Sequence, residues 1–159
     1  MGRLGAFTVC LILAIAMNSS EFSAESLDSN IVQDLSTLWN EDKAVVALYP
    51  LIKEKLSDNE STKLQINYRL GNRIAGDRLV ATAAGSNSWT SAQDIKLTLN
   101  YPKTGIGSIV TYLQVIVEQS TNIGRGYVTS GGIGQRQITV VIEGNQTLYF
   151  KYNAEIYGY

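Results

Sequence analysis

Two runs near the end of the chain decide its fold: Gln137-Ile138-Thr139-Val140-Val141-Ile142-Glu143 and Leu148-Tyr149-Phe150-Lys151-Tyr152-Asn153-Ala154-Glu155-Ile156. In the second, Leu148, Phe150, Tyr152, Ala154 and Ile156 alternate with Tyr149, Lys151, Asn153 and Glu155. A period of two sends successive side chains to opposite faces, so this run reads as a half-buried strand with its even-numbered residues inward. In the first run, Ile138, Val140 and Ile142 share a face. A two-residue turn at Gly144-Asn145 would set Ile142 beside Thr147 and mix the two faces. A loop from Gly144 to Gln146 instead sets Ile142 by Leu148, Val140 by Phe150 and Ile138 by Tyr152. The sequence therefore predicts a hairpin with that loop, and with Asn145 or Gly144 in the left-handed conformation.

Working back towards the N-terminus, the same alternation recurs. Leu64, Ile66, Tyr68 and Leu70 define one strand, and Leu79 to Ala83 a short second one. Gly85 to Asn87 reads as a loop before Trp89 opens the apolar row that continues through Ile95, Leu97, Leu99 and Tyr101. Ser108 to Glu118 is apolar on both faces, the mark of a central strand, and Gly126 to Ser130 is a short strand before the glycines at 131, 132 and 134. Strands at this spacing, with glycine-rich connections, predict a mainly β fold: an antiparallel β-sandwich or flattened barrel of roughly six to eight strands.

Ahead of this β-domain, placed at residues 63–159, the period changes. Ile31, Leu35 and Leu38 lie at helical spacing after a possible cap at Ser29 or Asn30. Val45, Leu48, Tyr49, Ile52 and Leu56 do the same, interrupted by Pro50. Residues 21–62 are thus expected to be a short N-terminal helical extension. Before it, Arg3 followed by the apolar run Leu4 to Met17 has the form of a secretory signal peptide over residues 1–20, with cleavage after Ala16 or Ser20.

That leader shapes the functional expectations. The one cysteine, Cys10, lies inside it, so the mature chain would carry no disulfide and no thiolate. The 13 basic and 14 acidic residues give a net charge of −1, with no basic cluster to neutralise phosphates. The chain is accordingly expected to be extracellular, to bind no nucleic acid directly, and to leave the membrane once the leader is removed. Asn59-Glu60-Ser61 and Asn145-Gln146-Thr147 match the N-glycosylation acceptor, as does Asn18-Ser19-Ser20 inside the cleavage region.

Catalytic chemistry has few candidates. Histidine is absent, which removes the usual neutral-pH base and the commonest zinc ligand. Glu118, Glu143 and Glu155 are possible acids, but outward strand positions make solvated surface charge the simpler account. The glycine spacing from Gly71 to Gly76 matches a phosphate loop, yet Asp77-Arg78 stands where lysine and a hydroxyl are needed. Gly131-Gly132-Ile133-Gly134 precedes a strand rather than a helix, so both segments read as turns that need unusual backbone angles. Tyr112, Tyr149 and Tyr157 fall on outward rows, able to stack on sugars or meet a protein, or simply to serve strand preference. No cofactor or metal is expected, and the chain is read as non-enzymatic.

Taken together, Gly71-Asn72-Arg73, Gly76-Asp77-Arg78-Leu79-Val80, Ser88-Trp89, Gly126-Tyr127, Gly131-Gly132-Ile133-Gly134-Gln135 and Ile156-Tyr157-Gly158 resemble a family of small arthropod (insect) proteins. That family is named after multiprotein bridging factor two, and the likeness spans roughly Tyr68 to Tyr159. The resemblance implies a transcriptional co-activator bridging a DNA-bound regulator to the general machinery, while many members of the family resemble secreted proteins with no assigned activity. The leader and the glycosylation acceptors side with the secreted group. The first expected role is therefore a secreted, non-enzymatic protein that binds another protein, a glycan or a small apolar ligand, and the co-activator is the alternative. The resemblance supplies no catalytic residue, and Gly76, Asp77, Trp89, Gly131, Gly132, Gly134 and Gln135 are matched positions expected to be structural.

Overall fold

The computed structural model describes residues 25–33, 49–57 and 64–159, and all regular structure within them is strand. In chain order the segments are β1 (Glu25–Ser26), β2 (Asp28–Gln33), β3 (Tyr49–Pro50), β4 (Ile52–Ser57), β5 (Leu64–Gly71), β6 (Arg78–Tyr101), β7 (Val110–Gln119), β8 (Gly124–Gly131) and β9 (Ile138–Gly158). β1 and β3 are two-residue bridges, which leaves seven longer strands. The expected mainly β fold is what forms.

Two strands organise the rest, because β6 with 24 residues and β9 with 21 are long enough to serve two layers. Residues 147–158 of β9 lie between the first half of β6 and β7, and the layer continues through β5 to β4. Residues 138–144 of β9 lie between the second half of β6 and β8. Both strands turn from one layer to the other at the same end of the molecule. In β6 the register shifts between Ser88 and Gln93 and again before Ile95, and in β9 Gln146 takes a φ of 53°. Such irregularities are how a strand bends without ending its pairing.

The N-terminal segments cover the edges. β1 runs parallel to β6 at Ala81 and Thr82, Leu27 N–H donates to Thr82 O at 2.8 Å, and β2 then pairs antiparallel with the other half of β6, Asp28 opposite Asn100. On the far side β3 pairs β8, Leu51 N–H donates to Gly126 O at 2.9 Å, and β4 pairs β5. Each segment crosses from one layer to the other with a leucine buried at the crossing. Covered edges remove the unpaired backbone that invites aggregation and give the sandwich a flattened-barrel character. Between the layers lies one apolar cluster, with Ile66, Tyr68, Leu97, Val115, Ile142 and Phe150 among its members. The layers approach closely at Gly126, where a Cβ would meet Ile142, Leu51 and Tyr68 side chains within 2.9 Å.

Five expectations need correction. The hairpin does not form: residues 138–158 are one continuous strand, whose two halves both pair with β6 rather than with each other. The left-handed residue is Gln146, not Asn145 or Gly144. Across the bend burial steps by three, through Gly144, Thr147 and Phe150, so Leu148 faces solvent while Phe150, Tyr152, Ala154 and Ile156 point inward as expected. Residues 85–87 are paired strand, opposite Tyr152, Lys151 and Phe150, rather than loop. In the N-terminal extension the described parts are strands, and Pro50 sits in the two-residue bridge on an edge, where its missing N–H is tolerated. Pairing with open sheet edges outweighs local helical spacing there. The leader, Asn18, Asn59 and the rest of the extension lie outside the described residues.

Candidate functional site

At the end away from the bends, three connections meet: residues 72–77 after β5, 102–109 before β7 and 132–137 before β9, together with the end of β9. The first is fixed by Gly71 and Asp77. Gly71 has a φ of 75°, and a Cβ there would collide with the Thr111 carbonyl oxygen, which accepts the Asn72 N–H at 3.2 Å. Gly76, with a φ of 88°, has open space around it, so its requirement is conformational alone.

Asp77 is the knot of this loop. Its side chain is 1% exposed and accepts from Arg73 Nε at 2.9 Å, Arg73 Nη2 at 2.7 Å, Ile74 N–H at 3.0 Å and Thr111 Oγ1 at 3.0 Å. Hydrogen bonding from the Arg73 guanidinium, ahead of the bonds from Ile74 and Thr111, holds the carboxyl down at about 2. The same guanidinium lies 3.6 Å over the Tyr157 ring, which tilts against Tyr112 at 6.1 Å. Burial, and then the bond to Glu155, push the Tyr157 hydroxyl up.

The glycine-rich loop is held by its backbone. Gly131, Gly132 and Gly134 have φ of 68°, 151° and 80°. Gly132 N–H donates to Gln137 O at 3.1 Å, and Gln135 N–H to Gly132 O at 3.1 Å. Gly134 N–H donates to Val110 O at 2.8 Å, and Val110 N–H to Gln135 O at 2.9 Å. The loop is thereby docked on the start of β7, with the Ile133 side chain lying over Gly71 and 40% exposed. Ile109 and Tyr159 exchange both backbone bonds beside it, at 2.8 and 3.1 Å.

Around this loop lie three hollows open to solvent. One, of about 300 Å³, is lined by Ile74, Ile109, Ile133 and Tyr159. A second, of about 290 Å³, lies between Leu70, Val128, Ile133 and Gln135. The third, of about 350 Å³, is bordered by Pro102, Ile106, Gln135 and Arg136. Rigid concave surface with exposed apolar side chains is suited to holding a partner's side chains.

Of the sequence-predicted positions, Gly76, Asp77, Gly131, Gly132, Gly134 and Gln135 thus converge on one end. Trp89 does not: it packs half-buried against the core at the bend of β6. Asn145 is also at the bend, half-buried, its N–H donating to Ile123 O at 3.0 Å, and its acceptor partner Thr147 is buried. The candidate acids are committed elsewhere, Glu118 to Lys151, Glu143 to Arg125 and Tyr127, and Glu155 to Tyr157. Among the described residues no group of three or more histidines, cysteines or acids is placed to hold a metal. Sequence reasoning missed Ile74, Thr111 and Tyr159: Ile74 and Tyr159 stand near matched glycines in sequence, while Thr111 carried no signal.

The model of the family described as transcription activator MBF2 matches residues 70–158. No curated protein and no solved structure matches the chain.

Proposed function

Because the chain belongs to the transcription activator MBF2 family, we propose that it works by protein contact rather than catalysis, as a co-activator bridging a DNA-bound regulator and the general transcription machinery. The observation that carries this reading is the gathering of the matched glycines and Asp77 into one rigid end with apolar hollows, a surface for holding rather than for reacting. A net charge of −1 supports leaving DNA contact to the partner. Added to a transcription reaction that depends on a DNA-bound regulator, the protein should raise output, and Ile133→Ser should lose the gain. Equal output from both, or none from either, contradicts the reading.

A second reading is favoured by Arg3 and the apolar run Leu4 to Met17: a secreted binding protein for a protein, glycan or small apolar ligand, using the same end. Mass spectrometry of the chain from producing cells distinguishes it. A start after Ala16 or Ser20, with glycans on Asn59 or Asn145, supports export; an intact leader in the nuclear fraction excludes it.

A further inference from the structure

We propose that Asn145 is an N-glycosylation site filled only while the bend is open, because folding takes its acceptor motif out of reach. This rests on the export reading above and concerns the end of the molecule away from the hollows.

The motif Asn145-Gln146-Thr147 is read through the hydroxyl two residues after the asparagine, on a chain free of other pairing. In the folded protein neither condition holds. Thr147 is fully buried, and its Oγ1 accepts from Ser120 N–H at 3.2 Å and donates to the Tyr149 carbonyl at 2.6 Å. Gln146 has a φ of 53°, and its N–H donates to Asp94 Oδ1 at 2.8 Å. Asn145 is tied at both backbone groups, its N–H donating to Ile123 O at 3.0 Å and its carbonyl accepting from Thr121 Oγ1 at 2.7 Å. Two segments distant in sequence, Asp94 and residues 120–123, thus enclose the motif, and it is accessible only before they close on it.

The Asn145 side chain takes no part in this closure. The residue is half-buried, and among the described residues its hydrogen bonds are made by the backbone. An oligosaccharide on Nδ2 therefore breaks none of the bonds that hold the bend. In the transfer, Nδ2 bonds to C1 of a lipid-pyrophosphate-linked oligosaccharide as the C1–O bond breaks. The lipid pyrophosphate leaves, and the amide proton goes to a base of the transferase. The finished glycan stands beside Ile123 and Leu148, which are 60% and 46% exposed, and leaves the glycine-rich end bare.

The test follows residue 145 by mass spectrometry after enzymatic deglycosylation in heavy-oxygen water, which marks each asparagine that carried a glycan. The full chain from secreting cells should be marked at Asn145. The same chain, made by cell-free translation without membranes and then folded, should accept glycan only slowly from solubilised oligosaccharyltransferase and lipid-linked oligosaccharide. The double variant Ser120→Ala, Thr121→Ala keeps the motif but loses bonds that enclose it, and should be marked about tenfold faster. Thr121→Ala alone should gain less in the same direction, so the outcome does not depend on a variant that fails to fold. Gly131→Ala, at the opposite end, should gain nothing. The proposal is overturned if Asn145 is bare in a chain whose leader has been removed, if the folded parent is marked as fast as the bend variants, or if Gly131→Ala gains as much as they do. An intact leader with Asn59 and Asn145 both bare removes the export reading itself, and this site with it.

Discussion

Where β6 and β9 bend, hydroxyl side chains close the fold; at the opposite end positive-φ glycines and backbone bonds do so around one buried carboxylate, Asp77. Thr147, fully buried, accepts from Ser120 N–H at 3.2 Å and donates to the Tyr149 carbonyl at 2.6 Å. Ser120 Oγ accepts from Leu148 N–H at 2.8 Å, and Thr121 Oγ1 donates to Asn145 O at 2.7 Å. Polar side chains there are turned inward to satisfy a backbone that leaves its ladder. The other end satisfies its glycine-rich turn through main-chain bonds and its 72–77 loop through Asp77, and Ile74 and Ile133 remain 48% and 40% exposed there. Exposed apolar area alone does not mark the working end, since Leu148 is 46% exposed at the bend.

That contrast breaks most sharply at a glycine. Gly131→Ala forces a side chain into a φ of 68° and against the Gln137 carbonyl, so chemical denaturation should show a loss of about 2–4 kcal/mol. A loss below about 0.5 kcal/mol would mean the loop is not backbone-locked. At the bend the sensitive position is a side chain. Thr147→Val keeps the shape and removes the hydroxyl shared by Ser120 and Tyr149, with an expected loss of about 1–3 kcal/mol.

Asp77 gives a smaller effect with a distinctive pH dependence. Its folded pKa lies below its ordinary value, so its stabilisation is full above about pH 4 and is lost as pH falls through about 2. The deficit of Asp77→Asn in thermal melts should therefore be constant near neutrality and shrink between pH 4 and pH 2; a deficit unchanged across that window would assign Asp77 no ionic role. Smallest is Tyr68→Phe. The Tyr68 hydroxyl is buried with no hydrogen-bond partner among the described residues, and burial pushes it up to about 12. Removing it should be neutral or stabilising by about 1 kcal/mol, and clear destabilisation would point to a bound water.

How far the sequence could be read follows from which forces are local. Inward placement of Phe150, Tyr152, Ala154 and Ile156 was legible because a period of two is a property of the strand itself. The bend at Gly144, Asn145 and Gln146 was not, since the same residues suit a hairpin loop, and only the presence of a 24-residue partner strand decides between them. Asp28–Gln33 and Ile52–Ser57 misled for a related reason: their helical spacing is local, whereas the edges they cover are made by distant segments. At the site, the glycines announced their turns, and Gly76, Gly131, Gly132 and Gly134 all take positive φ. Ile74, Thr111 and Tyr159 join them only through the fold, and a threonine in a strand looks like any other β-branched residue.

Amide hydrogen exchange of the full chain, compared with that of Gly131→Ala and Thr147→Val, addresses the central division most directly. Gly131→Ala should lose protection across residues 131–137 while residues 145–148 stay unchanged, and Thr147→Val should do the reverse. Protection lost at both ends in either variant, or at neither, would contradict the division between a backbone-held end and a hydroxyl-held bend.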